Sequence, residues 1–237
     1  MAKRYPTLEQ EHKLMQAGYA TIAGLDEAGR GAWAGPVAAA AVLLPLGDPA
    51  LPERLRGVCD SKLCTPRQRG VLYDVICGVA LSWAVSLVPA ARIDEIGIVP
   101  ATRQAMREAI ERLVPPPDAL LIDFVRLPSV RLPQRSLTKG DLRSLSIAAA
   151  SIVAKVSRDR EMIALSETHP GYGFARHKGY GTTRHREALQ RLGPLPNVHR
   201  WSFAPVSAAA IKSSGTVNMP GLQPAPQRNE LLVGHPP

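Results

Sequence analysis

Hydrophobic residues along this chain form short continuous runs and stripes at helical spacing, and the two kinds take turns. Residues 21–25 and 36–44 (PVAAAAVLL) are apolar runs of strand length, the second closed by Pro45. The glycine-rich link between them is too short for a crossover, which predicts antiparallel pairing. Leu81, Trp83, Val85 and Leu87 alternate with Ser82, Ala84 and Ser86, the pattern of a strand with one buried face. Residues 119–124 (ALLIDF) are nearly continuous, as in a fully covered strand, and Asp123 is the break in the run. Helical spacing relates Leu8, His12 and Met15, with Thr7 as N-cap, Gln10 at capping-box distance and Gly18 as the stop. It returns after Thr65-Pro66, a cap and first-turn proline, in Val71, Leu72, Val75, Ile76 and Val79. Further helices are predicted over 101–113, stopped by three prolines, over 144–165 with the small-residue run SIAAAS, and over 182–192 before Gly193. From Ser207 the periodicity ends and Pro, Gly, Ser and Gln dominate, which predicts a poorly ordered tail. A strand pair followed by strand–helix alternation predicts an α/β protein with a mixed β-sheet flanked by helices.

Charge sharpens this picture. The 29 Lys and Arg against 20 Asp and Glu give a net charge of +9, which favours a polyanionic partner. The three cysteines, Cys59, Cys64 and Cys77, form no C-x-x-C pair, so neither a disulfide framework nor a zinc knuckle is expected. MAKRYPTLEQ lacks a hydrophobic signal segment and no apolar run approaches the ~18 residues of a membrane span. A cytoplasmic location is expected.

Against this basic background four acids stand out. Asp26 and Glu27 close the first strand in IAGLDEAGRGAWAGP, beside Gly29-Arg30-Gly31; Asp123 closes ALLID; Asp141 precedes the long helix. Acids at buried strand ends are costly unless paired or bound to a cation, and all-carboxylate ligation selects hard cations such as Mg²⁺ or Mn²⁺. Neighbours in a regular strand point to opposite faces, so Asp26 and Glu27 share a site only if the strand bulges or ends there. Plainer roles compete. A strand-end Asp is more often a turn-former or cap, Asp141 suits a cap for the following helix, and Asp159 suits a salt bridge among basic neighbours.

The ordered blocks GLDEAGRGAWAGP, CDSK (59–62), LLID, KGD, SIAAASIVAKVSRDREM and GYGFARHKGYGT resemble ribonuclease HII, the type 2 ribonuclease H, from about Gly24 to Val206. The resemblance implies a ribonuclease H-like fold with a small helical C-terminal part. It divides the chain into an N-terminal arm over 1–19, a catalytic domain over 20–206 and a tail over 207–237. It implies an endonuclease that uses two Mg²⁺ or Mn²⁺ ions to cleave the RNA strand of RNA–DNA hybrids. It further implies nicking of duplex DNA 5′ to an embedded ribonucleotide, leaving 3′-hydroxyl and 5′-phosphate ends. By motif, Asp26, Glu27, Asp123 and Asp141 match the catalytic, metal-binding carboxylates. Gly29, Arg30 and Gly31 match the loop that senses the ribose 2′-hydroxyl, Tyr180 a tyrosine stacking on the sugar past the RNA–DNA junction, and Lys62 a phosphate contact. Tyr172 is the weaker match for the tyrosine. Arg176, His177 and Lys178 are further phosphate-contact candidates, with His177 expected in solvent.

Three positions depart from the pattern: Phe124-Val125 where Gly-Asn is common, Cys59 where Asn is common, and Leu63 where a second Lys is common. A monomer is expected, without membrane contact, and a replication-clamp partner acting through the tail is an open question. The rival readings are a non-catalytic nucleic-acid-binding module with a structural cation, or another metal-dependent nuclease of the same fold.

Overall fold

The computed structural model describes residues 5–214 and 232–234. A six-stranded sheet runs in the order β5-β4-β1-β2-β3-β6. Its centre is β1 (Ile22–Ala28), antiparallel to β2 (Val37–Leu43), which is antiparallel to β3 (Ser82–Val88). On the other side β4 (Ala119–Asp123) runs parallel to β1, and β5 (Gln134–Leu137) parallel to β4. The edge strand β5 has only four residues and a mixed burial pattern, too short for a periodicity signal, and sequence reading missed it.

Both faces of the sheet are covered. The long α6 (Leu145–Thr168) and α3 (Pro66–Val79) pack on one face with Ile22, Val42, Trp83 and Leu121. On the other face α4 (Ala90–Ile96) and α5 (Ile98–Glu111) pack with Leu25, Leu43, Ala84 and Ile122. This corrects the expectation of a half-buried β3. Ser82 and Ser86 are also buried, because α5 covers their face and Glu108 accepts the Ser86 hydroxyl at 2.6 Å. On α3, Leu72, Val75, Ile76 and Val79 of the predicted stripe pack on the core, whereas Val71 is 59% exposed and Tyr73 is buried in its stead.

The helix starts follow their caps. Thr65 and Gln68 form a reciprocal capping box ahead of Pro66. Ser144 caps α6 by accepting from Ile147 N–H at 3.2 Å, so Asp141 is not that cap. Thr182 caps α8 (Thr183–Leu192). Thr7, in contrast, lies one residue ahead of the N-cap position of α1 (Glu9–Gln16), and its hydroxyl accepts only from Glu9 N–H at 3.4 Å. Leu8 holds the N-cap position without a side-chain bond, because Thr7 is extended and bridges Ser144. The arm is instead tied down by Glu11, fully buried, which accepts from Ser144 Oγ at 2.7 Å and Ser146 N–H at 2.8 Å.

Between the strands and the tail lie α2 (Leu51–Arg54), α7 (Phe174–His177) and α9 (Ala204–Ser214). The tail reading is corrected in part: 204–214 is helical, and β6 (Leu232–Gly234) pairs antiparallel with β3. The rest of the predicted tail lies outside the described residues.

Candidate active site

The strand β1 does not end before its acids. It continues through Asp26 and Glu27 to Ala28, in unbroken register with β2 from Ala23↔Leu43 to Ala28↔Ala38. The expected bulge is absent, and β1 supplies the acids from both of its faces. Leu25 stands opposite Ile122, so Asp26 and Asp123, next along two parallel strands, lie side by side at the strand spacing of about 4.8 Å. Both share the face of Ile22 and Leu121, toward α6. Glu27 has the parity of Ala23 and Leu25, toward the α5 face. Because β4 stops at Asp123 while β1 runs on, Glu27 borders the same open corner from the other side. Asp141 arrives from a 3-10 turn, Gly140–Leu142, just ahead of α6.

The four carboxylates act on one another. Burial first, then the charges of Glu27 and Asp123, hold Asp26 well above the usual carboxylate range, while hydrogen bonds from Ser151 and from Glu27 N–H (2.7 Å) pull it back. Burial raises Glu27 against the opposing pull of Arg30, whose Nη1 lies 3.3 Å from Glu27 Oε1. Burial also raises Asp123, opposed by the N–H of Gly140 donating to Oδ1 at 2.7 Å. Asp141 is pushed up to about 6 by burial and by the charges of Asp60 and Asp123.

Lys62 faces this cluster. Burial lowers its pKa, but Asp60, Asp26, Asp141 and Asp123 together raise it, and its side chain stays 81% exposed. Asp60, a member of the CDSK block given no role from sequence, thus belongs to the same field of charge.

The donors suit a hard divalent cation: all oxygen, mutually repelling, with Glu27 Oε2 buried and without a hydrogen-bond partner among the described residues. No three Asp, Glu, His or Cys side chains among the described residues stand in a ready-formed metal cage.

Beside the acids, the loop 29–36 leaves β1. Ala32, Trp33, Ala34 and Gly35 spend their N–H groups on backbone carbonyls, whereas those of Arg30 and Gly31 have no backbone partner among the described residues. Gly31 is exposed, and a Cβ placed on it would meet nothing within 4 Å. The segment Lys178-Gly179-Tyr180 packs against the loop through Gly179, whose carbonyl accepts from Trp33 N–H at 2.8 Å. Tyr180 is half-buried, with the Arg158 guanidinium 5.3 Å and Lys155 Nζ 5.5 Å from its ring centre.

Two sequence candidates are removed. Tyr172 is buried, donates its hydroxyl to Gly193 O at 2.8 Å and stacks on Phe174. His177 is also buried, correcting the solvent expectation. Its Nδ1 accepts from Gly179 N–H, so Nε2 carries the proton and donates to Tyr172 O at 2.7 Å. It stacks on His185, which pairs with His199; burial lowers these two to about 4 and about 3, so both are neutral core groups. Asp159 is salt-bridged to Lys155 at 2.6 Å, as read from sequence.

An acid cluster at the ends of parallel strands, flanked by an amide-presenting loop and basic side chains, defines a metal-dependent hydrolase acting on nucleic acid. The comparisons make this specific. A sequence model of the family described as Ribonuclease HII matches residues 23–206. A ribonuclease HII of Roseiflexus castenholzii is 56% identical over 219 residues, covering 92% of this chain and 97% of that one. Among solved structures, the ribonuclease H2 of Pyrococcus horikoshii superposes with a TM-score of 0.70 at 27% identity, covering 81% of this chain and 98% of that one. The ribonuclease HII of Archaeoglobus fulgidus, solved in complex with PCNA, gives 0.66 at 29%, covering 78% and 95%. The chain belongs to the ribonuclease HII family. It has the ribonuclease H-like fold and is an endoribonuclease, a metal-dependent hydrolase of RNA in RNA–DNA hybrids.

Proposed function

We propose that Asp26, Glu27, Asp123 and Asp141 hold two Mg²⁺ or Mn²⁺ ions, and that the enzyme also nicks duplex DNA 5′ to a single embedded ribonucleotide, leaving 3′-hydroxyl and 5′-phosphate ends. The observation that carries this reading is the adjacency of the carboxylate corner to the two unpartnered amides of Arg30 and Gly31. When bound, the cations supply an activated water and neutralise charge at the scissile phosphate. Asp26 and Asp123 share one face and grip from the sheet; Glu27 and Asp141 close from either side. The amides of the Gly29-Arg30-Gly31 loop meet the ribose 2′-hydroxyl, the one group that separates RNA from DNA at a given nucleotide. Tyr180 stacks on the sugar past the junction, and Lys62, Arg176 and Lys178 contact phosphates. The enzyme works as a monomer in the cytoplasm. A sliding-clamp partner is proposed by analogy with the Archaeoglobus complex alone.

The test is cleavage of a DNA duplex holding one ribonucleotide, with Mg²⁺, Mn²⁺ or chelator, by the wild type and by Asp26→Asn. Nicking 5′ to the ribonucleotide that needs the metal, and that Asp26→Asn abolishes while hybrid binding persists, is the expected result. Turnover by Asp26→Asn near the wild-type rate would remove the carboxylates from the chemistry.

A further inference from the structure

Two arginines that sequence reading left without a role are fully buried: Arg158 in α6, and Arg200 in the segment between α8 and α9. Among the described residues neither is in an ion pair with a carboxylate. Burying a guanidinium without a counter-ion is costly, so its N–H groups must all be well used. Arg158 donates from Nε to Pro36 O at 2.8 Å, from Nη2 to Ala34 O at 3.0 Å and from Nη1 to Lys178 O at 2.9 Å. Arg200 donates from Nε to Gly35 O at 3.1 Å, from Nη1 to Arg30 O at 2.9 Å and from Nη2 to Pro36 O at 3.0 Å. The two forks meet at Pro36 O, and five of their six bonds land on the loop 29–36.

The consequence lies in the peptide plane. In a trans peptide the C=O of one residue and the N–H of the next point in opposite directions. Arg200 draws the Arg30 carbonyl inward, which turns the Gly31 N–H outward, toward the open space in front of that glycine. Arg158 sets the other end of the device. Gly29 packs so closely on it that a Cβ there would stand 1.9 Å from Arg158 Nε. The same guanidinium holds the carbonyl of Lys178 and lies under the Tyr180 ring.

Resting on the sugar-recognition reading above, we infer that Arg158 and Arg200 are positioning residues for ribose discrimination: Arg200 aims the Gly31 amide, and Arg158 fixes that loop against the Tyr180 segment. Neither reaches the substrate. A lysine in either place keeps the charge but presents its donors from one point, and cannot span three separate carbonyls. A glutamine removes the buried charge and with it the desolvation cost, so it is the variant to read should the lysine variant prove unstable.

The experiment measures binding by fluorescence anisotropy, in EDTA so that nothing is cut. It uses a DNA duplex with one ribonucleotide and the same duplex without it. The readout is the ratio of the two affinities, which a loss of stability alone leaves unchanged. Arg200→Gln, Arg158→Gln and the matching lysine variants are expected to lower the wild-type ratio by about two- to tenfold, the scale of one neutral amide–hydroxyl hydrogen bond. The Kd for the all-DNA duplex should stay within about twofold, since no phosphate contact is removed. A folded glutamine variant with the wild-type ratio overturns the inference. Gly31→Ala separates this from failure of the underlying reading, because its Cβ touches nothing in the protein yet blocks a sugar. If Gly31→Ala keeps the ratio, the sugar-recognition reading itself falls. If Gly31→Ala loses it and the glutamine variants keep it, only the positioning role falls.

Discussion

At the scale of single residues, the site works by placing charge where protein alone cannot satisfy it. Asp141 is raised to about 6, and Asp26, Glu27 and Asp123 are raised as well, chiefly by burial. Without a cation, the folded protein therefore holds more protons than the unfolded chain between the ordinary carboxylate range and about pH 6. Its stability falls as pH rises through that window. A divalent cation binds the ionised carboxylates, so its stabilising effect grows over the same window. The Tm gained on adding Mn²⁺, relative to EDTA, should be small at pH 5 and large at pH 7.5 in thermal melts. Equal gains at both values would count against the acids as the metal site. The role proposed for Tyr180 is in specificity instead. Tyr180→Ala should lower kcat/KM on a single-ribonucleotide duplex by about 5- to 150-fold, the 1–3 kcal/mol of a lost stacking contact. A long hybrid, which offers many registers, should lose less. Equal losses on both substrates would refute a junction role.

At the scale of elements, the decisive contact is β1 on α6. The run SIAAAS lets the helix approach the strand until backbones touch. A Cβ on Gly24 would lie 2.2 Å from the Ser146 carbonyl carbon, an atom that cannot move aside. Gly24→Ala should therefore destabilise the protein by about 1–3 kcal/mol or more, read by chemical denaturation. A loss under about 0.5 kcal/mol would show that α6 can retreat at little cost. The elements themselves were mostly legible: β2, α3, α6 and α8 start and stop near their proline, threonine, serine and glycine signals. The exceptions have local causes. Thr7 exchanges its capping role for an extended bridge to Ser144. β5 is too short to show a period. Phe124, a departure from the family pattern, turns the chain after Asp123 in the left-handed region (φ 54°) and leaves its ring 64% exposed, a conformation no hydrophobic pattern announces.

At the scale of the molecule, the proposed function gives the positive charge the task of holding the polyanion and the acidic corner the task of cutting it. With Arg30, Lys62, Arg176 and Lys178 as the proposed phosphate contacts, hybrid affinity should fall linearly in log salt. The expected slope is about −3 to −4 for four neutralised phosphates, measured by titration at several salt concentrations. A slope near zero would contradict electrostatic docking. Among the described residues no helix is long and apolar enough to cross a membrane.

Sequence alone was enough for most of the longer elements and for the family, and through the family resemblance it named the candidate acids, because periodicity, caps and motif blocks are written in neighbouring residues. It did not contain the convergence. Asp26 lies beside Asp123 only through the parallel register of β1 and β4, and Glu27 joins them by flanking an open rim rather than through a bulge. His177 reads as a loop residue until its ring is seen stacked on His185. Arg158 and Arg200 read as two charges among many in a basic chain. Their partners lie up to 170 residues away in the chain, and only the packing of α6 and the C-terminal segment around the loop 29–36 turns those charges inward.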